Sequence, residues 1–344
     1  MARKELDVTD NGPMADRDLT VVEICAGAGG QSAGLEQAGF EHVLAVEIDK
    51  DAAATLRLNR PTWHVYEGDV RDVRNLDIPA LDLFAGGVPC PPFSIAGKQL
   101  GADDERDLFP EALRLIEELA PRAVLLENVR GLASRRFETY RASILKRLDE
   151  LGYVSHWRLV YSAAYGVAQL RPRFILIALR PEVDRYFEWP ESPGEPVTVA
   201  EVLYDLMASD GWTGAEAWAA RARGVAPTIV GGSKKHGGAD LGPTRAKAAW
   251  RLMGVDGKGV ADAAPDRSTP ADHVPRLTNR MVARVQGFDD SWQFAGRKTS
   301  VYRQIGNAFP PPVARALGEA IADAIRLADG AQEVNPVTVR SAVN

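Results

Sequence analysis

The chain has 344 residues, of which 45% are hydrophobic, and its formal net charge at pH 7 is −6. This composition is ordinary for a folded protein and excludes the fibrous and disordered classes. Two cysteines are too few for a disulfide framework or a cysteine-only zinc site, and no apolar run reaches the roughly 20 residues that span a bilayer. We therefore expect a reducing, cytoplasmic setting, no metal and no membrane contact, with a flexible tail over residues 1–18.

The first half of the chain alternates short apolar runs with helical patterns, which is typical of β–α units around a parallel sheet. Strands are predicted at 20–24, 42–47, 63–66, 81–85, 123–127, 157–161 and 174–179. Helices are predicted between them at 31–38, 50–58, 107–119 and 138–151, three of which stop at a glycine or a proline. The expected fold class is α/β, a Rossmann-like doubly wound sheet over residues 19–180.

From residue 181 this alternation gives way to Gly, Pro, Trp and basic residues, and little there resembles a core element. We expect a smaller, loop-rich domain over 181–275 and a return segment over 276–328. That segment contains a helical pattern at 278–286 and a final helix at 312–328 that packs on the sheet. A frayed tail is expected at 329–344.

The charges are unevenly distributed along the chain. Residues 221–303 contain 15 Lys and Arg against 7 Asp and no Glu, so a basic region is joined to an acidic body. Such an asymmetry is expected where one face meets a polyanion, although a solvated surface gives the same count.

Three features at strand ends predict a cofactor that contains adenosine. The first strand runs into "EICAGAGGQSAG" (23–34), a glycine-rich turn that opens a helix and suits an anionic group. An NAD fingerprint is disfavoured because Ser32 stands at the third glycine position. Glu47 follows Gly27 by 20 residues, where a carboxylate accepts both ribose hydroxyls. Asp69 and the Val70 N–H, at the end of the third strand, are placed to meet the adenine.

A cysteine between prolines, in "GGVPCPPFS" (86–94), follows the fourth predicted strand. Proline removes backbone donors and fixes φ, so Cys90 is expected on a stiff loop at the sheet edge where ligands bind. Glu127 and Asn128 end the fifth strand on the same edge, which suggests a nucleophile paired with an acid. In "QLRPR" (169–173), Arg171 and Arg173 are expected on one face, to hold a phosphate or a carbonyl oxygen or to cap an edge strand.

Eight motifs occur along the chain in this order: "CAGAGG", Glu47, "GDV", "PCPPFS", "ENVRG", "QLRPR", "RLTNRMVARVQGF" and "RQIGNAFPPPVA". Through this ordered series, residues 19–327 resemble the bacterial DNA (cytosine-5)-methyltransferases of restriction-modification systems. The resemblance implies methyl transfer from S-adenosylmethionine to carbon 5 of a flipped-out cytosine in a specific duplex sequence, through a covalent bond between Cys90 and carbon 6. It also implies a duplex DNA partner, a cognate restriction endonuclease as a candidate partner, a monomer, and a cytoplasmic, nucleoid-associated location.

The resemblance assigns roles to individual residues. The catalytic set is Cys90, Glu127, Asn128, Arg171 and Arg173. The cofactor set is Cys25, Ala26, Gly27, Gly29, Gly30, Glu47, Ile48, Asp69, Val70 and Asn307. The DNA-binding set is Ser94, Gln169, Lys234, Lys235, Arg245 and Lys247.

The sequence departs from the family pattern at two positions beside the cofactor turn, since Cys25 stands where a Phe is usual and Glu23 replaces an Asp. A tRNA methyltransferase of the same fold and a catalytically silent DNA-binding relative remain as alternatives.

Overall fold

The computed structural model describes residues 18–89, 107–192, 194–232 and 238–334. Its sheet contains β1 (Leu19–Ile24), β2 (Phe40–Glu47), β3 (Val65–Glu67), β4 (Leu83–Gly86), β5 (Ala123–Val129), β6 (Val154–Tyr161) and β7 (Pro172–Leu179). The strand order is β3-β2-β1-β4-β5-β7-β6. Strands β1 to β5 are parallel, and β7 runs antiparallel to both of its neighbours. The predicted α/β fold class is confirmed, and each predicted strand overlaps an observed one.

The helices are α1 (Gly30–Gln37), α2 (Lys50–Asn59), α3 (Phe109–Leu119), α4 (Glu138–Glu150), α5 (Pro181–Asp184), α6 (Val199–Ala208), α7 (Ala215–Arg221), α8 (Thr244–Leu252), α9 (Asn279–Val285), α10 (Lys298–Asn307) and α11 (Pro311–Val334). Hydrogen bonds from capping side chains fix the residues at which α2 and α6 begin. Asp49 caps α2 by accepting the N–H groups of Asp51 and Ala52, and Thr198 forms a capping box with Glu201 at α6. None of the described helices is long and apolar enough to cross a membrane.

Helix α11 packs against α1 and shares a buried core with β1 and β4. The two helices approach closely because α1 carries a glycine at the crossing. A Cβ on Gly34 would lie 2.4 Å from the carbonyl oxygen of Pro311 and 2.6 Å from the Cβ of Ala314. This contact holds the turn before α1 in a fixed position against the C-terminal part of the chain.

The region after residue 181 has a core of its own, so the expectation of little core structure there is wrong. Trp212, Trp218 and Trp250 are buried in one cluster with side chains from α6, α9 and α10. The sequence signal was weak because α6, α7 and α8 have only 10, 7 and 9 residues. Such short helices, separated by Gly and Pro, do not sustain a helical period.

Candidate active site

A cavity of 570 Å³ lies where the carboxyl ends of the parallel strands meet. Eight of the ten residues predicted to bind the cofactor line it: Cys25, Ala26, Gly27, Glu47, Ile48, Asp69, Val70 and Asn307. Gly87, Pro89 and Glu127 line the same cavity. One concave site therefore joins the predicted cofactor residues to the predicted acid and to the chain that leads into Cys90. Its volume is within the usual range for small-molecule sites.

Gly29 and Gly30 do not line the cavity. Their missing side chains instead let other parts of the chain pack closely against the glycine turn. A Cβ on Gly29 would lie 2.5 Å from the ring of Trp292, and one on Gly30 would lie 2.3 Å from the carbonyl oxygen of Phe309. The indole N–H of Trp292 donates to the carbonyl oxygen of Ala28 at 3.0 Å. Sequence reasoning missed Trp292, because no local signal connects it to a turn that lies 264 residues earlier.

The glycine turn and the end of β2 are held together by Glu47. Its two carboxylate oxygens accept the backbone N–H groups of Gly27 and Asp49, each at 2.7 Å. Gly27 has φ of 58°, a conformation that glycine adopts without strain. Burial raises the pKa of Glu47, and the two backbone N–H groups oppose this by stabilising the ionised form. The carboxylate is thus fixed at the wall of the cavity.

The cavity carries more negative than positive groups. Five carboxylates line it: Glu23, Glu47, Asp49, Asp69 and Glu127. Only two guanidinium groups, those of Arg71 and Arg303, are among the described residues that line it. Glu23 is fully buried, and its Oε2 lies 2.9 Å from the ring nitrogen Nε2 of His42. Its Oε1 has no hydrogen-bond partner within the described part of the chain. This lining fits a ligand with positive charge, as S-adenosylmethionine has at its sulfonium and ammonium groups.

Cys25 lines the cavity and adopts a left-handed backbone conformation, with φ of 51°. Burial raises the pKa of its thiol strongly, and the carboxylates of Glu47, Asp69 and Glu23 add to the effect. The thiol therefore stays protonated at neutral pH. Because the thiolate is the nucleophilic form of cysteine, Cys25 is unsuited to covalent catalysis.

The end of β5 holds the predicted acid next to an arginine. Strand register pairs Val129 with Arg173, and Arg173 Nε lies 2.5 Å from Glu127 Oε1. Asn128 is buried; its amide donates to the carbonyl oxygen of Val88 at 2.6 Å and accepts the N–H of Val129. Asn128 therefore ties the end of β5 to the chain two residues before Cys90. Cys90 itself and Ser94 lie outside the described residues.

The structure places Gln169 and Arg171 in the interior, which contradicts two expectations. Gln169 is fully buried, accepts the N–H of Ile229 at 2.8 Å and donates to the side chain of Gln286. Arg171 is also fully buried and donates to the carbonyl oxygens of Ile229 at 2.9 Å and Ala308 at 2.7 Å. Gln169 is therefore not exposed to DNA, and Arg171 has no surface on which to hold a phosphate.

Gln169, Arg171 and Gln286, with the backbone of Ile229 and Ala308, form what we call the interdomain clasp. Gln286 completes it by donating to the carbonyl oxygen of Ala308 at 2.8 Å. The clasp joins the start of β7 to the region after residue 181 and to the loop between α10 and α11. It fixes these three parts of the chain relative to one another.

The remaining predicted DNA-binding residues are distributed over the region that contains α8. Arg245 is exposed on α8. Lys247 is half-buried and its Nζ lies 2.8 Å from Asp240 Oδ2, so part of its charge is already paired. Lys234 and Lys235 lie outside the described residues. Within the described residues, no group of His, Cys, Asp and Glu side chains has an arrangement that could hold a metal ion.

Comparison with known proteins finds relatives that are similar to this chain in sequence and in fold. Residues 19–323 match the model of the family C-5 cytosine-specific DNA methylase. The chain is 60% identical over 315 residues to Type II methyltransferase M.NaeI of Lentzea aerocolonigenes, which covers 90% of this chain and 76% of that protein. It is 53% identical over 312 residues to Type II methyltransferase M.NgoMIV of Neisseria gonorrhoeae, which covers 90% of this chain and 98% of that protein.

Solved structures extend the comparison. A protein described as an E. coli DNA modification methyltransferase encoded within a prophage is 25% identical, with a TM-score of 0.64 over 89% of this chain and 99% of that one. Spodoptera frugiperda DNMT2 is 17% identical, with a TM-score of 0.64 over 88% of this chain and 99% of that one, and at this identity the likeness concerns the fold alone. The family match and the high identity to two Type II methyltransferases lead to one conclusion: the chain belongs to the C-5 cytosine-specific DNA methylase family, as a DNA methyltransferase of the restriction-modification type.

Proposed function

We propose that the protein methylates carbon 5 of a cytosine within one specific duplex sequence, and that it does so through a covalent bond between Cys90 and carbon 6 of a flipped-out base. The observation that carries the proposal is that Glu47, Glu127 and Pro89 all line one cavity. In this proposal residues 19–180 carry out the chemistry, residues 181–275 recognise the sequence, and residues 276–328 return the chain to the sheet.

The cofactor end of the cavity suits S-adenosylmethionine. That cofactor, when bound, supplies a methyl group on a sulfonium, which is a strong electrophile. Glu47 would accept the ribose hydroxyls, Asp69 and the Val70 N–H would meet the adenine, and Ile48, which is 67% exposed, would cover its ring. Asn307 and the unpartnered Oε1 of Glu23 would face the methionine part.

The other end of the cavity suits a cytosine. Carbon 5 of cytosine is a weak nucleophile, so a thiolate must first add to carbon 6. In our proposal Cys90 forms this bond, electron density moves onto carbon 5, and Glu127 shares a proton with ring nitrogen 3. After carbon 5 is methylated, solvent removes its proton. The electrons of that C–H bond restore the ring double bond, and Cys90 leaves as a thiolate.

Neighbouring residues would keep these groups in place. Arg173 holds the Glu127 carboxylate and would meet the cytosine carbonyl oxygen. Asn128 anchors the chain that leads to Cys90. We assign Arg171 a positioning role through the interdomain clasp. Because Glu127 lies within a cavity, the base must leave the duplex to reach it, at a cost of a few kcal/mol.

The biological setting follows from the same assignment. Methylation of one short duplex sequence would protect host DNA from a cognate endonuclease that cuts that sequence. We propose that the protein acts as a monomer, because one chain supplies the groups assigned to both ends of the cavity.

Transfer of labelled methyl groups tests this proposal. The protein is incubated with labelled S-adenosylmethionine and either mixed-sequence duplex DNA or tRNA, and the modified cytosines are located by bisulfite sequencing. We expect label in DNA only, at one short motif. Label in tRNA, or cofactor binding without transfer to DNA, would instead indicate an RNA methyltransferase or a silent relative.

A further inference from the structure

A short arginine-rich segment follows the catalytic strand β5. It consists of two 3₁₀ turns, Arg130–Ala133 and Arg135–Phe137. Arg130, Arg135 and Arg136 are all exposed. We call residues 130–136 the arginine turn. Three exposed arginines within seven residues are notable in a protein with a net charge of −6, and they lie outside the basic region at 221–303.

The backbone of the arginine turn is held in place by a buried leucine and by an arginine of α4. Leu132 is fully buried and belongs to the core beneath the sheet. Arg141 of α4 donates to the carbonyl oxygens of Leu132 at 2.5 Å and Ser134 at 2.8 Å. The turn is therefore anchored from below, which leaves the guanidinium groups of Arg130 and Arg135 on the outside.

Neither Arg130 nor Arg135 forms an ion pair in the described part of the chain, which distinguishes them from Arg147 of α4. Arg147 lies 2.6 Å from Glu117 and also pairs with Glu150. Arginine side chains that lie near one another without carboxylate partners repel each other, and this repulsion slightly destabilises the folded state. An anionic partner from outside the chain would remove that repulsion.

The position of the arginine turn indicates which partner this is. Arg130 follows Glu127 by three residues, which corresponds to about 10 Å along the strand. Strand register pairs Val129 with Arg173, so the turn begins at the edge of the cavity that holds the catalytic groups. A duplex that delivers a base to Glu127 must lie across this edge, and its outer surface presents one phosphate charge per about 1.7 Å of axis.

We propose that Arg130 and Arg135 bind backbone phosphates of duplex DNA beside the target cytosine. The inference rests on the proposed function and extends it, since it assigns DNA contacts to the catalytic half of the chain rather than to residues 181–275 alone. Phosphate contacts carry no base information, so the arginine turn sets the position and affinity of the duplex while other residues select its sequence.

The test uses Arg130→Gln and Arg135→Gln, with Lys146→Gln on α4 as the control. Lys146 has a side chain that is 78% exposed and its loss removes the same single charge. Binding is measured by fluorescence anisotropy over a salt series, with mixed-sequence duplex DNA and with a poly(dA)·poly(dT) duplex that lacks cytosine. Cofactor affinity and thermal midpoint are recorded for each variant to show that the fold and the cofactor site are intact.

We expect each arginine variant to bind both duplexes about five- to tenfold more weakly near 0.1 M salt, because one phosphate contact and its counterion release are lost. The slope of log affinity against log salt should fall by about 0.9 for each arginine. Lys146→Gln should match the wild type in affinity and slope.

Wild-type affinity and slope in both arginine variants would overturn the inference. A loss confined to the cytosine-containing duplex would also overturn it, because phosphate contacts do not depend on sequence. If the wild-type protein itself bound neither duplex, the proposed function would fail along with the inference, and that outcome is visible before any variant is compared.

Discussion

Glu47 combines a structural contact with a position in the wall of the cavity. Its carboxylate accepts two backbone N–H groups, which joins the glycine turn to the segment after β2. Its oxygens also face the cavity, where lone pairs are left for ligand hydroxyls. Burial raises its pKa, so the ionised form is maintained against a desolvation cost. Such costs are characteristic of binding sites.

Glu47→Gln is expected to weaken S-adenosylmethionine binding by about 10- to 100-fold, because hydrogen bonds to a charged acceptor are worth about 1.5–3 kcal/mol. Wild-type affinity should fall as the pH is lowered through the raised pKa of Glu47, since the protonated carboxyl is a poorer acceptor, and the variant should lack this dependence. Isothermal titration across pH measures both, with the exposed Glu41→Gln of the same strand as the control. An unchanged affinity in Glu47→Gln would remove this residue from the cofactor site.

At the scale of single residues, the sequence predicted side chains whose position at the cavity depends on local spacing. Glu47 and Asp69 follow strand ends at distances set by the β–α units, and both line the cavity. Gln169 and Arg171 were misplaced because their burial depends on Ile229, Gln286 and Ala308, which lie 58 to 137 residues away. No local pattern reveals partners at that separation.

At the scale of elements, the position of the glycine turn depends on the packing of α1 against α11. The missing side chain at Gly34 lets the backbone of α11 approach, and the neighbouring Gly30 lies against the carbonyl oxygen of Phe309. The contact therefore links the C-terminal helix to the turn that forms the cavity wall.

Gly34→Ala is expected to destabilise the protein by about 1–3 kcal/mol, the usual cost of overpacking. A matched control is Gly330→Ala in α11, where the added Cβ meets nothing within 4 Å. That change should stabilise the protein by up to about 1 kcal/mol, because alanine has the higher helix propensity. Urea unfolding compares the two variants, and equal stabilities would show that the helix crossing tolerates a side chain.

The elements of residues 19–180 could be predicted because short apolar strands alternate with helical patterns, several of which stop at glycine or proline. Their observed ends differ from the predicted ones by at most three residues, as at β6, which begins at Val154 rather than 157. The helices α6, α7 and α8 could not be predicted, since their buried positions are set by three tryptophans that meet only in the folded state.

At the scale of the whole molecule, the core around α11 meets the core with the buried tryptophans through apolar and polar contacts. One core lies around the sheet and α11, and the other contains the buried tryptophans together with α9 and α10. The interdomain clasp connects them beside the cavity, where hydrogen bonds among buried groups fix orientation more strictly than apolar contacts do.

The central claim, that Cys90 adds to carbon 6 of a cytosine in DNA, is tested most directly with a duplex that contains 5-fluorocytosine. Fluorine at carbon 5 cannot leave as the proton does, so elimination is blocked and the bond to sulfur persists. With saturating S-adenosylmethionine, wild-type protein and Cys25→Ala should both form a covalent complex with the DNA that survives denaturation, because the raised pKa of Cys25 keeps that thiol protonated. Cys90→Ala should form none. A covalent complex in Cys90→Ala, or its absence in the wild type, would contradict the account.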